Sequence, residues 1–327
     1  MEILFKKLTQ LSAGLLFVIL AATTAVLYFS AKPAIEEFGA GFLFESRWGV
    51  EERLETSGDE PIQMTESETE LRDEDIDDDD DFIDDDDDFI SDDDFEAEGD
   101  SREIYGALVP IVGTIFSTLI AMLFSIPIAM GIAVFLSEIA ATSIAKPVGV
   151  AIELLASIPS IIYGMWGLFY FGPFIANIFG GNTVSLLVAG LVLAIMVIPF
   201  MAALSRDAIS TVPEMLKESA YAMGATKLEV IKDVVFPYAK SGIIGSIILS
   251  FGRALGETMA VAFVIGGVYQ FASKVTDPTN SIPVVLANSF AESSGMSLSV
   301  LFYLALILFM LSFIVIGVAK FYFLRRK

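Results

Sequence analysis

The chain has 327 residues, 55% of them hydrophobic, and carries a formal net charge of −23. Its mean hydropathy of +0.69 is too high for a soluble domain of this size. It contains no cysteine and no histidine, which excludes disulfides, thiolate chemistry, zinc sites built on those residues and imidazole acid–base catalysis.

The negative charge is concentrated in one segment of the chain. Residues 31–107 contain 31 acidic and 5 basic residues, whereas the remainder contains 11 acidic and 14 basic residues. The sequence therefore combines a nearly neutral, apolar body with one strongly acidic insertion, and the overall charge describes neither part.

Six apolar segments are long enough to cross a membrane. A helix needs about 20 residues to span the hydrocarbon core, and backbone groups cannot stay unpaired in lipid. The sequence therefore predicts an all-α membrane protein with six transmembrane helices. These are Leu11–Phe29, Leu108–Leu136, Val148–Phe171, Val184–Leu204, Gly242–Val268 and Leu298–Phe323.

The first segment has two interpretations. Lys6 and Lys7 precede an apolar run, as in a cleaved signal peptide. Its 19-residue length and the five spans that follow favour a retained membrane anchor. We therefore expect the first helix to remain part of the protein.

The distribution of lysine and arginine predicts the orientation, because cytoplasmic loops are richer in these residues. An N-terminus inside places Lys146, the 205–241 loop and the Arg325–Lys327 tail on the cytoplasmic side. The predicted organisation is a transmembrane helix at 1–30, an external acidic insertion at 31–107, a core of five transmembrane helices at 108–323 and a cytoplasmic basic tail at 324–327.

The acidic insertion is a low-complexity sequence. Runs of aspartate occupy Asp73–Asp94, interrupted by Phe82 and Phe89. Charge repulsion and the small apolar surface predict a disordered, external loop. Two alternatives stay open: a loose collector of calcium or magnesium, since carboxylates suit hard cations, and a docking segment for a basic partner.

The longest predicted cytoplasmic loop, Ser205–Ser241, differs from the rest of the chain. A proline and an acidic residue, Glu214, favour a helix start, and Gly224 favours its end. A second amphipathic stretch, Lys227–Val235, precedes Pro237. The loop therefore predicts two short helices bent at Gly224, which either form a compact knob or lie at the lipid interface. The apolar stripe of the first helix comprises Leu216, Ala220 and Met223.

This loop resembles the EAA loop of ABC-importer permeases. Glu218-Ser219-Ala220 is followed by Gly224 and then by a hydrophobic residue two positions before Pro237, with Ser219 where that family usually has alanine. The resemblance implies that the loop docks on an ATP-binding subunit. It assigns this coupling role to Glu218, Ala220, Gly224 and Pro237.

Three further segments are similar to the PstC-type permeases of phosphate importers. They are Val109–Thr114, Ala151–Gly167 and Gly252–Ala260, and the resemblance covers roughly 108–327. It implies an ABC importer permease-like bundle that translocates inorganic phosphate across the bacterial inner membrane, with both termini cytoplasmic. Alternatives are a permease for sulfate or molybdate, and a membrane-anchored scaffold or divalent-cation-binding protein that acts through the acidic insertion.

The resemblance also implies partners. These are a PstA-type permease subunit, a PstB-type ATPase dimer, an external PstS-type phosphate-binding protein and the lipid bilayer, with no nucleic acid. The chain lacks the G-x-x-x-x-G-K-[ST] phosphate loop. We therefore expect it to be no enzyme and to bind no cofactor or metal itself, with ATP and magnesium used by the ATPase partner.

Charged residues within the spans indicate a candidate pathway. Arg253 and Glu257 are four residues apart, so they are predicted to share a helix face and to pair. Arg253 is expected near the membrane midplane, where arginine suits an oxyanion; the alternative is a structural ion pair. Glu153, Ser160 and Tyr163 are candidate pathway or gating residues, or alternatively simple helix-packing contacts.

Overall fold

The computed structural model describes residues 2–53 and 101–324, which are mainly helical. The aspartate runs of the acidic insertion and the Arg325–Lys327 tail lie outside the described residues. The chain divides into two compact units, one formed by Met1–Trp48 with Tyr105–Lys327 and the other by Gly49–Ile104. Of the second unit, only parts of a strand pair are described.

The helices and strands follow one another in a simple order. The strand pair β1–β2 forms a two-stranded sheet. The elements are α1 (Glu2–Phe38), β1 (Trp48–Arg53), β2 (Ser101–Tyr105), α2 (Leu108–Val134), α3 (Thr142–Ala156), α4 (Ser160–Trp166), α5 (Gly172–Phe179), α6 (Leu186–Ser210), α7 (Glu214–Ala222), α8 (Lys227–Glu229), α9 (Phe236–Leu255), α10 (Met259–Val264), α11 (Ile282–Ser289) and α12 (Gly295–Leu324).

Six membrane-spanning helices are present among the described residues, as the hydropathy pattern predicts. Each is long and apolar enough to cross a bilayer. They cover Phe5–Leu43, Leu108–Ile139, Ser160–Phe179, Leu186–Ser210, Lys227–Leu255 and Gly295–Phe321.

The first helix is longer than predicted. It continues to Phe38, beyond the predicted boundary at residue 30. Ala31 and Ala34 are fully buried, and Lys32 pairs with Glu36 one turn further on. This packing and pairing extend the helix into what the sequence presents as the acidic insertion.

The bounds predicted for the third span, Val148–Phe171, are wrong. It is interrupted at Pro159, so that α3 ends at Ala156 and a new helix begins at Ser160. Proline has no N–H to donate, and it disfavours helical backbone at the preceding residue. The span therefore runs from Ser160 to Phe179, and α3 is a separate helix.

The predicted fifth span, Gly242–Val268, begins too late and ends too late. One continuous helix runs from Lys227 to Leu255, and its wide π-turn at Val230–Val235 ends two residues before Pro237. A π-turn shifts the hydrogen-bond pattern where a proline would otherwise break it. The predicted separate helix at Lys227–Val235 is therefore the first part of this span.

The core of the larger unit is built around α6, in which 67% of the residues of the most apolar stretch are buried. Helix α6 packs on α2, α3 and α9. Small residues permit the close contact with α2, since a Cβ at Gly190 would lie 2.5 Å from Ile120.

A second cluster joins α1 to α12. Phe42 follows α1 and stacks on Tyr303 of α12 with 4.7 Å between ring centroids. Trp48 stacks on Tyr269 at 5.1 Å and contacts Tyr105 edge-on. These rings fix both chain segments at the point where the acidic insertion leaves and rejoins this unit.

Candidate coupling and pathway sites

The turn after α7 is specified by its own sequence. Gly224 has a φ of +89°, a left-handed conformation that costs other residues energy. The Ala225 N–H donates to the Ala220 carbonyl at 3.1 Å, and the Gly224 N–H donates to the Tyr221 carbonyl at 2.9 Å. These two bonds form a Schellman motif, which ends α7 at this glycine.

The next helix starts two residues later. The Thr226 hydroxyl accepts the Glu229 N–H, and the Glu229 carboxylate accepts the Thr226 N–H at 2.7 Å. This capping box fixes the start of the helix that continues through Pro237 into the membrane span. Gly224, Ala225 and Thr226 therefore form a tight hinge between α7 and the fifth span.

Helix α7 has an exposed face that carries both apolar and charged residues. The exposed fractions are 75% for Met215, 90% for Met223 and 74% for Leu228, which lies just beyond the hinge. Glu218 is exposed on the same helix, whereas Ala220 is half-buried against the bundle. A partner protein surface can therefore contact Glu218 directly but reaches Ala220 only through the packing of α7.

The inner face of α7 is fixed by a buried lysine. The Lys217 Nζ lies 2.7 Å from Glu138 Oε1 and 3.2 Å from Glu214 Oε1. Burial opposes the lysine charge, but the hydrogen bonds that Lys217 donates to the two carboxylates outweigh this effect, so that the pKa of Lys217 is raised. Sequence analysis missed this contact because Glu138 is 79 residues away from Lys217 in the chain.

Glu153 has a basic partner on a different helix. Its carboxylate accepts a hydrogen bond from Arg206 Nη2 at 2.8 Å, and the same nitrogen contacts Asp207 at 3.0 Å. The pair joins α3 to the end of α6, where a Cβ at Gly149 would lie 2.6 Å from the arginine. Glu153 thus makes a helix-packing contact, and its proposed gating role stays a prediction.

Arg253 and Glu257 do not share a helix face. Helix α9 ends at Leu255, and Glu257 lies in the break before α10, where its carboxylate accepts the Ala260 N–H at 3.2 Å. Among the described residues, no ion pair joins Glu257 to Arg253. The predicted pairing is therefore wrong, because the helix on which the i,i+4 spacing depends stops between the two residues.

Arg253 instead lines a cavity of about 620 Å³ between α6, α9 and α12. Its guanidinium lies over the Phe200 ring, 5.0 Å from the centroid. Lys320 of α12 lines the same cavity, and none of the described residues that line it is acidic. Sequence analysis missed Lys320 because local spacing does not indicate which helix packs beside α9. The remaining lining residues are Gly245, Ile248, Leu249, Gly252 and Ile316.

Tyr163 and Ser160 lie at the break between α3 and α4. The Tyr163 hydroxyl donates to the Leu155 carbonyl at 3.0 Å and thereby satisfies a backbone group at the end of α3. Ser160 is the first residue of α4. Tyr163 thus holds the break together, while the pathway role predicted for both residues stays untested. Within residues 2–53 and 101–324, no cluster of three or more carboxylate, histidine or cysteine side chains could hold a metal ion.

Six apolar helices, with a helix–glycine–helix hinge leading into the fifth, are the arrangement that the resemblance to ABC-importer permeases predicts. The chain belongs to the family of binding-protein-dependent transport system inner membrane components, whose family model matches residues 104–327. It is therefore a multi-pass inner-membrane protein.

Three relatives of the chain carry the same name. The chain is 38% identical over 344 residues to the phosphate transport system permease protein PstC of Pasteurella multocida, covering 99% of this chain and 92% of the relative. It is 38% identical to the PstC of Haemophilus influenzae, covering 98% and 92%. Identity to the Xylella fastidiosa PstC is 48% over 241 residues, covering 68% and 74%. These matches confirm the resemblance to PstC-type permeases.

The fold is that of a solved ABC transporter permease. The chain is similar to a structure described as the inward-facing MetNI methionine ABC transporter, with a TM-score of 0.50 and 21% identity, covering 64% of this chain and 92% of that chain. This similarity confirms the predicted ABC importer permease-like bundle.

Proposed function

We propose that this chain is the PstC-type permease subunit of an ATP-driven importer that moves inorganic phosphate across the inner membrane. The observation that carries the proposal is the 38% identity that extends over 99% of the chain to a permease named for phosphate transport. A separate subunit hydrolyses ATP with magnesium, because this chain has no phosphate-binding loop of its own.

The pathway is formed together with a second permease subunit of the PstA type. The cavity face of α9 supports this assignment, since Leu249 and Arg253 are exposed and line a cavity at the side of the bundle. A PstS-type protein delivers phosphate from outside. Arg253 and Lys320 then attract the anion into the membrane, where a guanidinium makes several hydrogen bonds to one oxyanion.

Coupling takes place at α7, which we place on the cytoplasmic side with both chain termini. The exposed Met215, Met223 and Glu218 contact a PstB-type ATPase dimer. Closure of that dimer moves α7, and the Gly224 hinge passes the motion to the fifth span. Such rigid-body movement is a common mode of coupling between packed elements.

Uptake by the reconstituted complex tests this function. The chain is assembled with its PstA-, PstB- and PstS-type partners in proteoliposomes, and ATP-dependent uptake of labelled phosphate is measured. We expect arsenate to compete and sulfate and molybdate not to compete. ATP-dependent uptake of sulfate or molybdate without phosphate uptake would assign the chain to a different oxyanion.

Deletion of residues 56–99 separates transport from a role of the acidic insertion. If the chain is a permease, uptake continues at a similar rate without these residues. Loss of uptake in a complex that still assembles would instead favour a function that depends on the insertion.

A further inference from the structure

We propose that the buried ion pair between Lys217 and Glu138 transmits the movement of α7 to the end of α2. Lys217 is then a positioning residue for coupled transport, distinct from the exposed residues that contact the ATPase. This inference rests on the proposed function, in which α7 docks on the ATPase.

The pair is short and shielded from water. Lys217 Nζ and Glu138 Oε1 are 2.7 Å apart, and their side chains are only 9% and 7% exposed. The third member, Glu214, is exposed and lies on α7 itself. Exposed ion pairs contribute little, whereas a buried, hydrogen-bonded pair fixes the distance and direction between two elements.

Glu138 lies in the turn that directly follows α2, so its position is linked to the end of that helix. It belongs to the π-turn Phe135–Ile139 that continues α2, and the chain becomes extended at Ala140. Leu136 in the same turn is buried in the main core cluster. Displacement of Glu138 therefore acts on the end of a long helix that packs along α6.

Apolar contacts also join α7 to the bundle. Ala220 packs with a cluster that contains Ala133, Ile209 and Val230. Apolar packing resists separation because it buries surface, but it is non-directional and allows sliding at smaller cost. A charge-assisted hydrogen bond resists separation and sliding as well. The pair therefore lets α7 move α2 in both directions of the transport cycle.

Neutral variants of the pair test the inference in the reconstituted complex, with phosphate as the transported probe. We expect Lys217→Met and Glu138→Gln to leave ATP hydrolysis in place and to lower phosphate uptake per ATP hydrolysed by about tenfold or more, because the lost contact is a charge-assisted hydrogen bond. Lys146→Met is the matched control: Lys146 is exposed on α3 and should leave the ratio unchanged.

A double variant with apolar residues at both positions distinguishes loss of coupled movement from loss of assembly. Removal of one partner leaves a buried charge that can prevent assembly, whereas Lys217→Met combined with Glu138→Leu leaves none. Assembly with normal ATP hydrolysis and low uptake per ATP supports the proposal. Restored uptake per ATP would show a packing contact only, and loss of assembly even in the apolar pair would show a structural role; either result overturns the inference.

A cross-link distinguishes failure of this inference from failure of the proposed function. The chain has no native cysteine, so Met215→Cys provides a single reactive site on the exposed face of α7. If Met215→Cys captures the ATPase but the Lys217 and Glu138 variants keep the normal phosphate uptake per ATP, only the role of Lys217 is rejected and the proposed function stands. No capture, together with no phosphate uptake by the unmodified complex, would reject the proposed function.

Discussion

At the scale of single residues, Arg253 and Lys320 test whether phosphate passes through the cavity between α6, α9 and α12. We expect Arg253→Gln to abolish phosphate uptake while the complex still assembles, because the guanidinium lines the cavity from within a membrane-spanning helix. Arg253→Lys should retain about a tenth of the uptake, since a point charge replaces a fork of donors. Labelled phosphate uptake and subunit co-purification measure the two effects.

Lys320 provides a graded comparison within the same cavity. Because Lys320 is exposed near the end of the last span, Lys320→Gln should lower uptake by only about threefold, with a larger effect at low salt. An effect as large as that of Arg253→Gln would show that the two cations act as one obligatory site. No effect at any salt concentration would remove Lys320 from the pathway.

Glu257 should not rescue Arg253. A structural ion pair predicts that Arg253→Gln combined with Glu257→Gln restores transport, since no unpaired charge remains. The helix break between the residues predicts that the double variant stays inactive. Near-normal uptake in the double variant would contradict both the break and the pathway role of Arg253.

At the scale of elements, the hinge at Gly224 depends on backbone conformation rather than on space. No atom lies within 4 Å of a Cβ built there, but its φ of +89° disfavours other residues by about 1–2 kcal/mol. Gly224→Val should therefore uncouple ATP hydrolysis from uptake or prevent ATPase binding, and Gly224→Asn should be milder.

The matched control for the hinge is Gly131→Ala. Gly131 lies inside α2, also has open space at the Cβ position and has an ordinary helical backbone. Alanine there should be neutral for uptake and for ATPase binding. Equal loss of function in both variants would show that the left-handed turn is not the reason for the effect at Gly224.

The elements also show what local sequence predicts and what it does not. Hydropathy predicts six spans, and the Gly224 hinge follows from residues within a few positions of one another. The breaks at Pro159 and Gly256 were missed because the apolar stretches on either side are long enough that mean hydropathy stays high across the few polar residues between them. Lys217–Glu138 and Glu153–Arg206 pair across distant helices, which no single-chain periodicity indicates.

At the scale of the whole molecule, the orientation in the membrane is the prediction on which all others depend. Because the chain has no cysteine, single introduced cysteines report accessibility without background. In intact spheroplasts, an impermeant thiol reagent should label Ser57→Cys in the insertion and Ala291→Cys between α11 and α12. It should label Met215→Cys only after permeabilisation. Labelling of position 215 in intact cells would reverse the topology and exclude coupling at α7.

The continuity of the fifth span has a mechanical consequence. From the Gly224 hinge to the end of α9, Lys227–Leu255 is one rod of 29 residues, which is about 43 Å long. Arg253 lies near the end of this helix that is farther from the hinge. The helix therefore acts as a lever whose pivot is the hinge, on the side of the ATPase. A tilt of about 5° at that pivot would displace the arginine by about 3 Å. That distance is comparable to the length of a hydrogen bond, enough to make or break contact with an anion in the cavity.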